Sequence, residues 1–595
     1  MQAPPAPRRV PSFRQNYGLA TILAAICSLL VPISVNASTS IEESIQHIRD
    51  GLLPPVLIEG EAPRKETLLD QMAHFHVPGV SIAVIRGGRI EWARGFGVAK
   101  IGGPPVTPRT LFQAASISKP VTALAALRLA QEGKLDMDAD VNRYLKHWKI
   151  PNNRFTDQHP VTLRELLSHT AGMTVHGFAG YRADTVLPTL VQILDGQPPA
   201  NSPPIIVDTL PGSRWRYSGG GYVVVQQLLE DATGMAFDKL MQKTVLGPIG
   251  MSDSSYEQPL PKSKLAGVAL PYRISGALVK GGGPHVYPER APAGLWTTPS
   301  DLARYGIEVQ RALAGKSHRV LTAATTRATL TPGMNRQGIG PLIGGSASNP
   351  YFEHSGANEG YRCDLLVYEH GDGVAIMTNS DNGDKLFPEI LRTIAYEYHW
   401  PNFQPPTRSI AKIDPRTFDS IVGSYEIEPD FILTFRREGT RFVVQATGEG
   451  QGPLELFPQS GQEYFAKAVD ALVSFELNDQ GQAVAVTLHQ NGRDMAGRRL
   501  DDTAAKKIAD TLAATNARFR TQVPAPGSEK AVRAMIDEYA AGAELGRVSQ
   551  LIFEKVLPDG TDVYRVGFEK GSGTAGIALS ADGTVRNSSF VPADY

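Results

Sequence analysis

Three prolines fall within the eight residues from Pro401 to Arg408, and the chain changes texture across them. Before this segment, apolar runs of strand type alternate with helix-period stretches; after it, short strand-like runs recur about every ten residues. One uniform core cannot serve both patterns, and proline-rich sequence of this kind is linker chemistry. A chain of 595 residues has room for about three or four domains.

Composition narrows the function. Lys and Arg number 59 against 60 Asp and Glu, a net charge of −1, which removes the electrostatic motive for binding nucleic acid, and no basic block restores it locally. Hydrophobic residues at 42% and charged residues at 20% exclude a disordered chain, and Gly and Pro follow no collagen-like or solenoid period. Two cysteines cannot build a disulfide framework.

The N-terminus has the form of a leader. Arg8, Arg9 and Arg14 precede an apolar run from Leu19 to Val31, and Val35-Asn36-Ala37 offers small residues for a cut. The run is interrupted by Pro32 and is short for a bilayer span, which needs about 20 apolar residues. Residues 1–37 are therefore expected to be a signal peptide of an exported (periplasmic or secreted) protein, with an uncleaved N-terminal anchor as the alternative. Cys27 lies in the apolar run, which leaves Cys363 as the one thiol of the mature chain.

Three blocks follow. Residues 38–408, ending in the proline-rich segment, read as mixed α/β. Val80 to Ile85 and Ile90 to Gly95 are strands joined by Arg86-Gly87-Gly88-Arg89. Pro120 to Glu132 is a helix with Leu124, Leu127 and Leu129 on one side and Gly133 as its stop, and Gly221 to Ala232 is a second, ended by Gly234. Residues 409–500 carry runs such as Phe431 to Phe435, Arg441 to Gln445 and Ala483 to Leu488, with turns such as Asn491-Gly492, and predict a small antiparallel barrel or sandwich. Residues 501–595 predict an α+β block: helices through Phe519 and near Ala531 to Tyr539, then strands around Asp559-Gly560 and Asp582-Gly583. The stiff linker must hold the first appended block close to the α/β region. There it is expected to narrow a cleft and restrict substrates to small ones, with a docking surface as the other reading.

Chemistry gathers at Ser116-Ile117-Ser118-Lys119, immediately before the Pro120 helix. One helical turn brings residues i and i+3 together, so the Lys amine can reach the Ser hydroxyl, which is inert at neutral pH without such help. The helix start adds free N–H groups where an oxyanion would form, and a hydroxyl there is placed to cap it, a role worth about 1 kcal/mol. The same four-residue pattern recurs at Ser409-Ile410-Ala411-Lys412, but Pro415 follows and no long helix carries it. Two further elements matter: Tyr217-Ser218-Gly219 before the second helix, and His354-Ser355-Gly356 before the strand-like run from Tyr361. His74 and His76 have no third ligand at a recognisable spacing, so no metal site is expected, and no motif calls for a cofactor. His169 reads as structural, and Cys363 as core rather than nucleophile.

In order and separation these elements resemble the penicillin-recognising serine hydrolases: class C β-lactamases, D-aminopeptidases and D,D-peptidases, and related esterases. Leu166 to Gly172, Leu246 to Met251 and Gly294 to Leu302 support the likeness, which covers about residues 65–400. The resemblance implies the α/β transpeptidase fold of class C β-lactamases, with an antiparallel sheet and an all-helical subdomain. It implies Ser116 as acylated nucleophile, Lys119 as its activator, and Tyr217 as general base with its pKa depressed by the Lys119 charge. Backbone N–H groups of Ser116 and Ala357 would form the oxyanion hole, and His354, Ser355, Gly356 and Gly219 would line the substrate.

Two positions depart from the family pattern. His354 stands where many members carry Lys, and Gly219 where many carry Asn. An anionic β-lactam thereby loses two recognition groups, so small ester or amide substrates are expected ahead of β-lactams. The alternatives are a D-aminopeptidase, D,D-peptidase or β-lactamase acting on cell-wall-like peptides, and a catalytically silent protein that only recognises them. No nucleic acid is expected as a partner, and the membrane only through the leader.

Overall fold

A computed structural model describes residues 33–428, 431–447, 452–490, 492–543, 547–557, 560–569, 571–579 and 583–592. Residues 1–32 of the expected leader lie outside these. Its expected end, Val35 to Ala37, falls in helix α1 (Ile33–Asp50). Among the described residues no helix is long and apolar enough to cross a membrane.

The first block is built on a six-stranded antiparallel sheet. Its strands are β1 (Gly79–Arg86), β2 (Arg89–Gly97), β3 (Leu342–Ser346), β4 (Asn349–Asn358), β5 (Tyr361–Tyr368) and β6 (Gly373–Thr378), in the order β2-β1-β6-β5-β4-β3. The β1–β2 hairpin turns on Gly87 and Gly88 at φ +57° and +73°, positive values that a two-residue turn matching strand twist demands. Strand β1 is buried at every position except Arg86, because the sheet is covered on both faces. One face packs Ala83, Phe352, Leu365 and Met377 against helices α2 (Ser118–Gln131), α3 (Gly219–Thr233) and α5 (Pro299–Leu313). The other packs Ile82, Leu366 and Ile376 against α1 and α6 (Gly383–Glu397).

Helix α2 differs from its sequence expectation in two ways. It starts at Ser118, and it is buried on nearly all sides where one apolar stripe was expected. Its alanines and leucines explain this, since a helix without a polar face belongs inside a core. Helix α3 starts two residues before the expected Gly221 because Ser218 caps it, accepting from Gly221 N–H at 2.9 Å.

Beyond Arg408 an eight-stranded closed barrel runs β7 (Gly423–Glu428), β8 (Phe431–Glu438), β9 (Arg441–Ala446), β10 (Leu454–Pro458), β11 (Glu463–Ala466), β12 (Ala471–Leu477), β13 (Ala483–Gln490) and β14 (Arg493–Arg499). Closure decides between the barrel and the sandwich: β14 pairs back onto β7 through Tyr425 and Glu426. Rings of Phe418, Phe435, Phe442, Tyr464 and Phe475 fill its core, Phe442 stacked on Phe418 and Phe435, and Phe475 edge-on to Phe435 and Tyr464. The last block packs α7 (Asp502–Thr521) and α8 (Ser528–Ala543) with a four-stranded antiparallel sheet, β15 (Val548–Val556), β16 (Asp562–Phe568), β17 (Gly571–Leu579) and β18 (Val585–Pro592). Of the expected turn residues, Asn491, Asp559 and Asp582 lie outside the described residues.

The linker is fixed rather than loose. Thr407 and Arg408 pair in parallel with Leu57 and Ile58. Between the blocks lies a cavity of about 1640 Å³, bordered by Glu353 and Asp364 of the sheet, Phe387 and Arg392 of α6, and Phe431 and Arg493 of the barrel. Side chains alternate along a strand, so Glu353 points to the face opposite His354. The barrel is thus close, as the linker required, but it covers the α6 side of the sheet, away from Ser116. The expectation that it narrows the cleft over Ser116 is not met, because the sheet and α6 residues it faces across the cavity, among them Glu353, Asp364 and Arg392, lie on the side opposite His354.

Candidate active site

Ser116 occupies a 3₁₀ turn, Ala115–Ile117, that runs directly into α2. Ala115 adopts φ +49°, a left-handed conformation costing a side-chain-bearing residue about 1–2 kcal/mol. The turn presses against β4. A Cβ on Gly356 would lie 2.2 Å from the Ala114 carbonyl oxygen and 3.2 Å from Ala115 Cβ, so only glycine permits this approach. Gly356 therefore seats the turn, whereas its neighbours Ser355 and Ala357 are exposed.

Lys119 lies one turn along, 2% exposed. Its Nζ donates to Ser116 Oγ at 3.0 Å and to the Pro292 carbonyl at 3.1 Å, the latter from helix α4 (Arg290–Ala293). The i, i+3 reach expected from the sequence is present. Burial is what acts on the amine, and it brings the Lys119 pKa down to about 7. Among the described residues no side chain caps the turn or α2, so the capping role expected of Ser116 is absent and its hydroxyl accepts from Lys119 instead.

Tyr217 stands one residue before the cap of α3, half-buried. Lys119 Nζ lies 4.8 Å from its ring centroid. Three imidazoles surround the ring, with His169 at 4.3 Å, His176 at 4.9 Å and His354 at 6.2 Å between centroids. The depressed phenol implied by the family resemblance is not found. Burial pushes Tyr217 up to about 12, with the Ser116 hydroxyl pulling slightly the other way. The ammonium faces the ring rather than a phenolate, so the group that titrates near neutrality is Lys119.

On β4, His354 is 6% exposed and its Nδ1 lies 2.6 Å from the Ser355 carbonyl. A carbonyl only accepts, so Nδ1 carries the proton and Nε2 the lone pair. Burial and then the Lys119 charge bring the His354 pKa down to about 4, so it is neutral at pH 7. Gly219 opens α3, donating to the His176 carbonyl at 3.0 Å. A Cβ there would meet that carbonyl at 3.0 Å and Phe178 Cε2 at 3.1 Å, so Phe178 occupies the space beside it.

The structure brings Ser116, Lys119, Tyr217 and His354 together and keeps Ser409 apart. Cys363 is buried, donates to the Gln113 carbonyl at 3.1 Å, and has its thiol pushed up by burial, as a core residue should. Sequence reasoning read His169 as structural and missed His176, Phe178 and the Pro292 carbonyl. His169 lay in the quoted Leu166 to Gly172 segment; nothing local marks the other three.

Comparison with known proteins gives the family. The family model described as Beta-lactamase covers residues 65–398. Penicillin-binding protein 4* of Bacillus subtilis (strain 168) is 23% identical over 465 residues, spanning 72% of this chain and 96% of the relative. Protein flp of Staphylococcus aureus (strain N315) is 28% identical over 229 residues, 38% of this chain and 42% of its own. Among solved structures, the octameric penicillin-binding protein homologue from Pyrococcus abyssi superposes with a TM-score of 0.48 at 23% identity, covering 72% of this chain and 98% of that one. D-amino acid amidase from Ochrobactrum anthropi SV3 gives 0.47 at 20% identity over 60% and 99%. With the family matched across more than half its length, from before the Ser116 turn to the end of α6, the chain belongs to the Beta-lactamase family of serine β-lactamase and penicillin-binding-protein-like hydrolases.

Proposed function

We propose that the protein is an exported serine hydrolase that cleaves small esters or amides through an acyl-enzyme on Ser116. The observation that carries this is the 3.0 Å contact from the buried Lys119 Nζ to Ser116 Oγ, with a pKa near 7. Neutral Lys119 takes the Ser116 proton as Oγ bonds to the substrate carbonyl carbon. The oxyanion is held by the backbone N–H groups of Ser116 and Ala357, rigid donors that need no reorganisation. The proton then returns through the Tyr217 hydroxyl to the leaving oxygen or nitrogen, that bond breaks, and the acyl group stays on Ser116. Water attacks the ester by the same route reversed, giving its proton to Lys119 and releasing the acid as Oγ is reprotonated.

The surroundings favour uncharged substrates. His354 is neutral, Lys119 is half-charged at pH 7, and Phe178 sits where a polar side chain on residue 219 would project. A fluorescent phosphonate followed by peptide mapping tests the mechanism: a single adduct on Ser116 is expected, and none at all would leave a silent binding protein. A panel of p-nitrophenyl esters, D-amino-acid amides and nitrocefin tests the substrate class, with short esters expected to turn over fastest. A preference for D-amino-acid amides or nitrocefin would move the assignment to the peptidase or β-lactamase reading.

A further inference from the structure

We infer that His169 is the positioning residue that fixes the Tyr217 phenol over Ser116, an inference that rests on the role proposed for Tyr217. His169 spends both its backbone and its ring on the two residues flanking that tyrosine. Its carbonyl accepts from Arg216 N–H at 2.8 Å, and its Nδ1 accepts from Ser218 N–H at 3.1 Å. The ring meanwhile lies against the Tyr217 ring, 4.3 Å between centroids and inclined by 34°. One residue thus pins the backbone on either side of Tyr217 and one face of its side chain.

The cost of the arrangement points to a task. His169 is 2% exposed and holds φ +60°, a left-handed conformation that histidine adopts more readily than most residues, yet still at a penalty. A backbone N–H can only donate, so Nδ1 is the acceptor and the ring proton sits on Nε2. That Nε2 is buried with no hydrogen-bond partner among the described residues. Burial pushes the imidazole pKa well below its ordinary value, with Lys119, His354 and His176 acting in the same direction, so the ring stays neutral and Nδ1 stays an acceptor. A residue that only filled space here could be apolar and avoid the unpaired donor. The acceptor at Nδ1 is the feature an apolar residue lacks, and it acts on Ser218, which caps α3 and follows Tyr217 directly.

The ring and the acceptor can be removed separately. His169→Phe keeps a stacking ring and leaves the Ser218 N–H unpaired; His169→Asn offers an oxygen near the Nδ1 position, tolerates a left-handed backbone, and loses the ring. Each is combined with Tyr217→Phe in a double-mutant cycle read as kcat and KM on a short ester. His169→Phe is expected to lower kcat by about tenfold or more with KM within about twofold, and His169→Asn to recover most of that loss. In the Tyr217→Phe background both His169 substitutions should change kcat by less than about twofold, because they act through the missing hydroxyl. Multiplicative losses in that background would overturn the inference, as would a loss confined to KM. If His169→Phe does not fold, His169→Gly, which accepts the left-handed backbone and loses ring and acceptor together, takes its place in the cycle with the same expected loss and coupling. An impaired Tyr217→Phe with an additive cycle removes His169 alone; a fully active Tyr217→Phe removes the proposed role of Tyr217, and His169 with it.

Discussion

The same four-residue pattern occurs twice in this chain and meets two fates. At Ser116 it is wound into a 3₁₀ turn and helix, the lysine is buried, and amine and hydroxyl meet at 3.0 Å. At Ser409 no helix forms: Ala411 N–H bonds the Pro458 carbonyl of the barrel, Lys412 is exposed, and Ser409 Oγ donates to Glu59 at 2.5 Å. The spacing is identical. What differs is helical pitch, which joins i to i+3, and burial, which turns an ordinary ammonium into a base for neutral pH.

The contrast breaks most easily at the hydroxyls. Ser116→Ala should lower turnover by about a thousandfold or more while leaving thermal unfolding nearly unchanged, since the hydroxyl caps nothing. Steady-state assay and calorimetry check both, and activity above a tenth of wild type, or an acyl adduct mapped to Ser409, would put the chemistry elsewhere. Lys119→Met should cost nearly as much in rate and yet raise stability. The fold holds Lys119 at about 7 against 10.5 for a free lysine, so between those values the unfolded chain binds more protons. Stability contributed by this group is therefore lowest below pH 7 and recovers as pH rises toward 10.5. The methionine variant should gain on the order of 1–3 kcal/mol at pH 6, after allowance for the hydrogen bonds lost, and the gain should shrink by pH 10. Denaturant melts at the two pH values read this directly.

Smaller effects sharpen the picture. Tyr217→Phe is expected to reduce kcat by roughly ten- to a hundredfold with little change in KM; an unchanged kcat with a raised KM would make it a binding residue. The wild-type profile of kcat/KM should rise with pH and level off above about 7, falling about tenfold per unit on the acid side, because only neutral Lys119 accepts the Ser116 proton. A flat profile from pH 5 to 8 would remove Lys119 as the base. Ser409→Ala should leave rates unchanged and cost no more than about 0.5 kcal/mol, as expected of an exposed hydrogen bond.

Local patterns were legible where the physics is local. The β1–β2 hairpin could be read from alternating apolar runs around two glycines, α2 from Pro120 and its leucines, and the change of architecture from the prolines after Trp400. Ser116 and Lys119 could be paired because one helical turn suffices to join them. Tyr217 and His354 could be singled out only with the family resemblance beside them, since 101 and 238 residues separate them from Ser116 along the chain.

The chain alone also determined that any lysine at position 119 would follow a serine by one turn, and that residue 219 would carry no side chain. Tertiary structure decided the rest. It chose which of the two serine–lysine pairs is buried, and it raised the phenol of Tyr217 where the resemblance implied a lowered one. It set His169 against the backbone on both sides of that tyrosine, and it placed the barrel on the sheet face away from Ser116. Helix and strand periods are written within a few neighbouring residues. Desolvation and close approach depend on which distant segments arrive to exclude water: Pro292 beside Lys119, Gly356 against Ala114, Phe178 over Gly219.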